Sequence, residues 1–98
     1  MVEPMLFMIA GYVKPGAEDE LVRLGGEFSD HIAEVTPAIA ALGVLRDRDG
    51  SRKGYVALVT ADSFEQAEKI LRESPYFQEK VYERIEVFEY QVEVGQVG

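Results

Sequence analysis

Cysteine is absent from the sequence, and with it disulfides, thiolate catalysis and thiol-held metals, a pattern that suits a reducing cytosol. Stability must come from packing alone. Histidine occurs once, as His31, so a transition metal would find a single imidazole, and the carboxylates show no ligand spacing. Neither a metal nor another cofactor is expected, and no glycine-rich phosphate cradle is present. Cations are scarce: ten stand against eighteen acids, and the net charge of −8 opposes nucleic acid as a partner. Long apolar runs are missing too. Met5 to Ala10 is too short for a signal or a membrane span, and Met1-Val2-Glu3-Pro4 before it carries no basic stretch. A cytoplasmic protein with no membrane partner is expected.

What is present is a chain of 98 residues, 47% apolar, with room for one core. The expectation is a single domain over residues 1–94 and a loose tail over 95–98. Met5 to Val13 is apolar on both alternating faces, as in a strand covered on two sides. After Pro15-Gly16, Glu18, Asp19 and Glu20 give the negative first turn that a helix dipole favours. Leu21, Leu24, Phe28, His31 or Ile32, and Val35 then recur at helical spacing. Thr36-Pro37 interrupts or restarts the helix, and a second helical piece is expected over Ala38 to Leu42.

Asp49-Gly50 suits a two-residue hairpin turn between Val44 to Arg48, a short polar edge strand, and Arg52 to Thr60, apolar on both faces at its centre. Arg46, Arg48, Arg52 and Lys53 crowd this hairpin, which reads as a solvated tip and as the one place that would draw a small anion. Asp62-Ser63-Phe64-Glu65 fits a capping box with Asp62 as the cap, and Phe64, Ala67, Ile70 and Leu71 form the stripe of the second helix. Ser74-Pro75 ends that helix. A last strand, Val81 to Val94, changes its apolar phase at Val87-Phe88, which implies a bulge or a second half that serves a different surface.

The order β-α-β-β-α-β with right-handed crossovers gives an α+β, ferredoxin-like fold: a four-stranded antiparallel sheet with its two most apolar strands central and both helices on one face. The other face is left apolar. Burying about 600 Å² of it per subunit contributes roughly 15 kcal/mol before association costs, so a homodimer through the sheet face is expected.

The residues also follow a family pattern. Met5 to Ala10, His31-Ile32 and Gly43 match its first strand, its helix histidine and the glycine before its hairpin. Asp62-Ser63-Phe64-Glu65-Gln66-Ala67 matches its acidic-Ser-x-Glu-x-Ala helix start, Ser74-Pro75-Tyr76 stands at its Asp-Pro-Tyr, and Val81 to Val87 resembles its last strand. The chain thus resembles the YciI-like (YCII-related) family. That resemblance implies a dimeric α+β barrel and, in the enzymes of the family, a helix histidine working with the acid of Asp-Pro-Tyr on small chlorinated or hydroxylated ring-derived compounds. Ser74 replaces that acid, and the Gly-Pro common after the second strand is missing.

His31 is therefore the candidate general base, with a half-buried histidine bonded to a carbonyl as the structural alternative. Ser74 is its candidate partner or, more simply, an N-cap. Tyr12, Tyr55 and Tyr76 are the candidate substrate-binding tyrosines, able to line a pocket and donate a hydrogen bond. The function that follows is small-molecule binding, with cofactor-free acid–base catalysis by His31. The alternatives are a non-catalytic dimeric module of the same fold and a monooxygenase-like barrel protein acting on quinone-type compounds.

Overall fold

The computed structural model describes residues 5–95. Met1 to Pro4, and residues 96–98 of the expected tail, lie outside the described residues. Four strands, β1 (Met5–Val13), β2 (Ile39–Arg46), β3 (Arg52–Ala61) and β4 (Tyr82–Tyr90), form one antiparallel sheet in the order β2-β3-β1-β4. The two strands that read as apolar on both faces are the central ones. Four helices connect them: α1 (Glu18–Arg23), α2 (Gly25–Val35), α3 (Phe64–Arg72) and the short α4 (Pro75–Gln78). The fold is α+β and ferredoxin-like.

Alternation along the strands divides the sheet into two faces. Phe7 and Ile9 of β1 and Ala57, Val59 and Ala61 of β3 are buried under Ala67 and Leu71 of α3. Val13, Ala17, Leu21, Leu24, Tyr76 and Val81 close a second cluster at the other end. The opposite face carries Leu6 and Met8, Val56 and Leu58, and Phe88 and Tyr90, brought side by side by the β1–β3 and β1–β4 registers. No helix among the described residues covers it. Phe88 is 54% exposed and Tyr90 is 40% exposed.

Several elements differ from the sequence reading, each for a local reason. The first helix is two: buried Leu24 forms the junction, and Gly25-Gly26 after it are poor helix formers. Ala38 to Leu42 is not helical. Thr36-Pro37-Ala38 makes one 3₁₀ turn, and β2 then starts at Ile39, because the β-branched and apolar residues from there pair with Val59 down to Arg52. This edge strand is neither short nor polar. The hairpin turn is longer than two residues: Gly50 N donates to Asp47 O at 2.9 Å and Asp47 N to Ser51 O at 3.0 Å, with Gly50 at φ +85°. That is a turn closed by a left-handed residue.

The cap of α3 is Ser63, whose side chain accepts from Gln66 N, while Gln66 Oε1 accepts from Asp62 N; the box is displaced by one residue. In β4 no bulge falls at Val87-Phe88. The β1–β4 register runs unbroken from Leu6↔Tyr90 to Tyr12↔Arg84 and shifts only between Tyr12 and Val13. The phase change is a change of surface: Ile85 and Val87 face the helices, Phe88 and Tyr90 the open side.

Candidate functional site

Beneath α2 the sheet and helices enclose a small cavity of about 40 Å³, lined by His31, Ile32 and Phe28 of α2, Leu42 of β2, Tyr55 of β3, Ile70 and Leu71 of α3, Ser74, and Tyr82 of β4. The helical spacing of Phe28, His31 and Ile32 puts all three on the side of α2 that looks down on the sheet. The volume holds a water or two and is well below the 300 Å³ or so at which ligand pockets begin. Leu42 on the edge strand is 38% exposed, so the wall between α2 and β2 is where the cavity reaches solvent.

His31 is half-buried, and its Nε2 lies 3.0 Å from the carbonyl oxygen of Ile70. That carbonyl belongs to the last turn of α3, where acceptors lose their intrahelical donors. The amide of Glu73 goes to Lys69 O and that of Ser74 to Leu71 O, so the Ile70 oxygen is left for His31. A carbonyl can only accept. Nε2 must therefore carry a proton, and in the neutral ring Nδ1 is the nitrogen with the free lone pair.

Ser74 is 4% exposed and is the N-cap of α4, its Oγ accepting from Tyr76 N at 3.3 Å. It lines the cavity beside Tyr82. Burial drives the Tyr82 phenol well above its ordinary range, and the nearby Ser74 hydroxyl pulls back against that rise. The phenol is neutral at physiological pH.

The tyrosines divide. Tyr55 lines the cavity, and its ring stands 5.2 Å from Phe28. Tyr76 is core: its ring stacks on Phe28 at 4.3 Å and its hydroxyl donates to Leu21 O at 3.2 Å. Burial pushes its pKa up to about 12. Tyr12 is not at this cavity. It projects from the opposite face, donates to Glu86 Oε1 at 2.7 Å and lies under the Arg84 guanidinium at 4.3 Å. The bond to Glu86 raises its pKa.

Sequence reasoning passed over Tyr82, which the structure places against Ser74 and Gly11. The available signal was Gly11 itself, a glycine inside an apolar strand, which marks a close approach. Among the described residues no group of three or more His, Asp or Glu is placed to hold a metal, and no helix is long and apolar enough to cross a membrane.

No protein-family model matches the chain, and no curated protein matches it. Solved structures do. The chain is similar to 5-chloro-2-hydroxyhydroquinone dehydrochlorinase (TftG) from Burkholderia phenoliruptrix AC1100, in complex with 2,5-dihydroxybenzoquinone, at TM-score 0.80 and 15% identity over 89% of this chain and 94% of that one. It is also similar to SnoaB, a cofactor-independent oxygenase from Streptomyces nogalater, at TM-score 0.53 and 17% identity over 96% and 97% of the two chains. At such identities the likeness establishes the fold.

Proposed function

We propose that the chain is a YciI-like small-molecule-binding protein that works as a homodimer and uses His31, without a cofactor, as general acid–base on a small polar or ring-derived compound. The observation that carries this reading is the bond from His31 Nε2 to Ile70 O at the aromatic cavity. A catalytic imidazole needs a third group to fix its tautomer and aim. Here a backbone carbonyl does so in place of the carboxylate that the family resemblance would put at Ser74. The carbonyl orients the ring but adds no negative charge to stabilise an imidazolium. Tyr82 and Tyr55 offer phenols to a substrate oxygen, and the flat aromatic walls suit a ring. A ring-sized ligand enters once Ile32 and Leu42 move outward. The chemistry named for the two structural neighbours, loss of chloride from a hydroxyhydroquinone and cofactor-independent oxygenation, supports a hydroxylated ring as the substrate class. The lack of cysteine supports a cytoplasmic setting.

A second reading rests on a specific observation: both candidate site residues hold the fold together, His31 by meeting the end of α3 and Ser74 by capping α4. On that reading the chain is a non-catalytic binding module. His31→Gln separates the two, because glutamine donates to Ile70 O but transfers no proton at neutral pH. Chloride release from 5-chloro-2-hydroxyhydroquinone is the assay. Catalysis by His31 is expected to fall at least 10²-fold in the variant with the melting temperature retained. Chloride release by the variant at the wild-type rate, or none by either protein, would leave the module.

A further inference from the structure

Next to the His31 cavity, beyond Gly11, Tyr55 and Tyr82 of its lining, the strand ends of β1, β3 and β4 frame a separate open cleft of about 550 Å³. Its charged lining is four cations, Lys14, Arg52, Lys53 and Arg84, against two carboxylates, Glu18 and Glu83. The excess is positive in a chain whose net charge is −8. Where acids are this abundant, surface cations should find carboxylates. Arg23, Arg72 and Lys53 do, in ion pairs with Glu79, Glu68 and Asp47. Lys14, Arg52 and Arg84 form no ion pair among the described residues, and neither do Arg46, Arg48, Lys69 and Lys80, so it is their gathering around one cleft that sets the three apart.

Both arginines are positioned by aromatic neighbours. Glu86, two residues beyond Arg84 and on the same face, accepts from the Tyr12 hydroxyl at 2.7 Å and makes no ion pair with Arg84. Arg84 stacks on the Tyr12 ring at 4.3 Å, an arrangement that fixes the guanidinium plane and leaves its N–H edge for an acceptor. Arg52 is steadied by Nη1 donating to Tyr55 Oη at 3.3 Å. Two oriented forks and two ammonium groups around one cleft are the donor set that a planar or tetrahedral oxyanion calls for.

We propose that this cleft binds a small oxyanionic ligand, a carboxylate or phosphate ester, held by Arg52 and Arg84 with Lys14 and Lys53 supplying field. The site shares no lining residue with the His31 cavity, though Arg52 bonds Tyr55 of that cavity and Tyr12 and Arg84 lie at the end of the open sheet face. Calorimetric titration with inorganic phosphate and, separately, succinate at low ionic strength tests it, with amide NMR to locate the response. Saturable binding of at least one probe is expected, with shifts centred on residues 12–16, 51–53 and 83–84. The probe that binds more tightly tells phosphate from carboxylate. Arg84→Gln and Arg52→Gln should each weaken it about tenfold, while Arg72→Gln, outside the cleft, should not. Circular dichroism confirms that the variants fold, and Lys14→Gln serves if either arginine variant does not. No saturable binding, equal weakening by Arg72→Gln, or unchanged binding by the cleft variants would overturn the proposal.

Discussion

The ring of Tyr82 lies directly over Gly11: a Cβ built on Gly11 would stand 2.5 Å from Tyr82 Cζ and 2.6 Å from both Cε atoms. No side chain but hydrogen fits there. The pair closes one wall of the His31 cavity, which Ser74 also lines. Gly11→Ala is expected to destabilise the protein by about 1–3 kcal/mol through displacement of a packed ring. In a Tyr82→Ala background the same change should cost under about 0.5 kcal/mol, and urea melts of the four proteins measure the cycle. Additive costs would mean that Tyr82 does not set the requirement for glycine.

Alkaline stability follows from the buried phenols. Tyr76 has its pKa raised by burial from 10.0 to about 12, and Tyr82 is raised by burial too. A group that holds its proton more tightly when folded stabilises the native state fully below its unfolded pKa. That contribution is lost as pH climbs through the folded one. Unfolding free energy should therefore be insensitive to these groups below pH 10 and decline between about pH 10 and 12. Tyr76→Phe should make the decline shallower, at a cost near neutrality of about 1 kcal/mol for the lost bond to Leu21 O. A wild-type curve that stays flat through pH 12 would contradict the burial of both hydroxyls.

The open sheet face supports the proposed homodimer. Leu6, Met8, Val56, Leu58, Phe88 and Tyr90 share one side that no helix covers, and a second copy brings the same apolar surface to meet it. Light scattering at micromolar concentration should return about twice the 11.0 kDa of the chain. Phe88→Glu places a charge on that face beside Met8 and should weaken association by at least 30-fold, roughly 2 kcal/mol. A wild-type mass of one chain at that concentration would refute the dimer.

Much of this was legible in the residues. Double-sided apolar alternation marked Met5 to Val13 and Tyr55 to Val59 as central strands, and that alone dictates an uncovered face. The stripe that holds Phe28 and His31 was readable from helical spacing. Ser74 before Pro75 was readable as a cap because proline at a first-turn position leaves the preceding hydroxyl to meet the amides. Other features depend on tertiary pairing. Ala38 to Leu42 has the composition of a helix, and only the register with β3 makes it a strand. Tyr12 and Tyr55 look alike in sequence, yet strand parity sends one to the charged cleft and the other to the cavity. The partner of His31 could not be found among side chains, because it is a carbonyl freed by the way α3 ends.

Because His31 is the only histidine, its two ring C–H resonances report on the candidate site without assignment. Titration of the protein with 2,5-dihydroxybenzoquinone, followed by proton NMR of that imidazole, is the most direct test of the proposed function. A saturable shift of both resonances is expected, lost when Leu42→Trp blocks the mouth of the cavity. Imidazole resonances that stay unmoved through the titration would contradict a ring-binding site at His31.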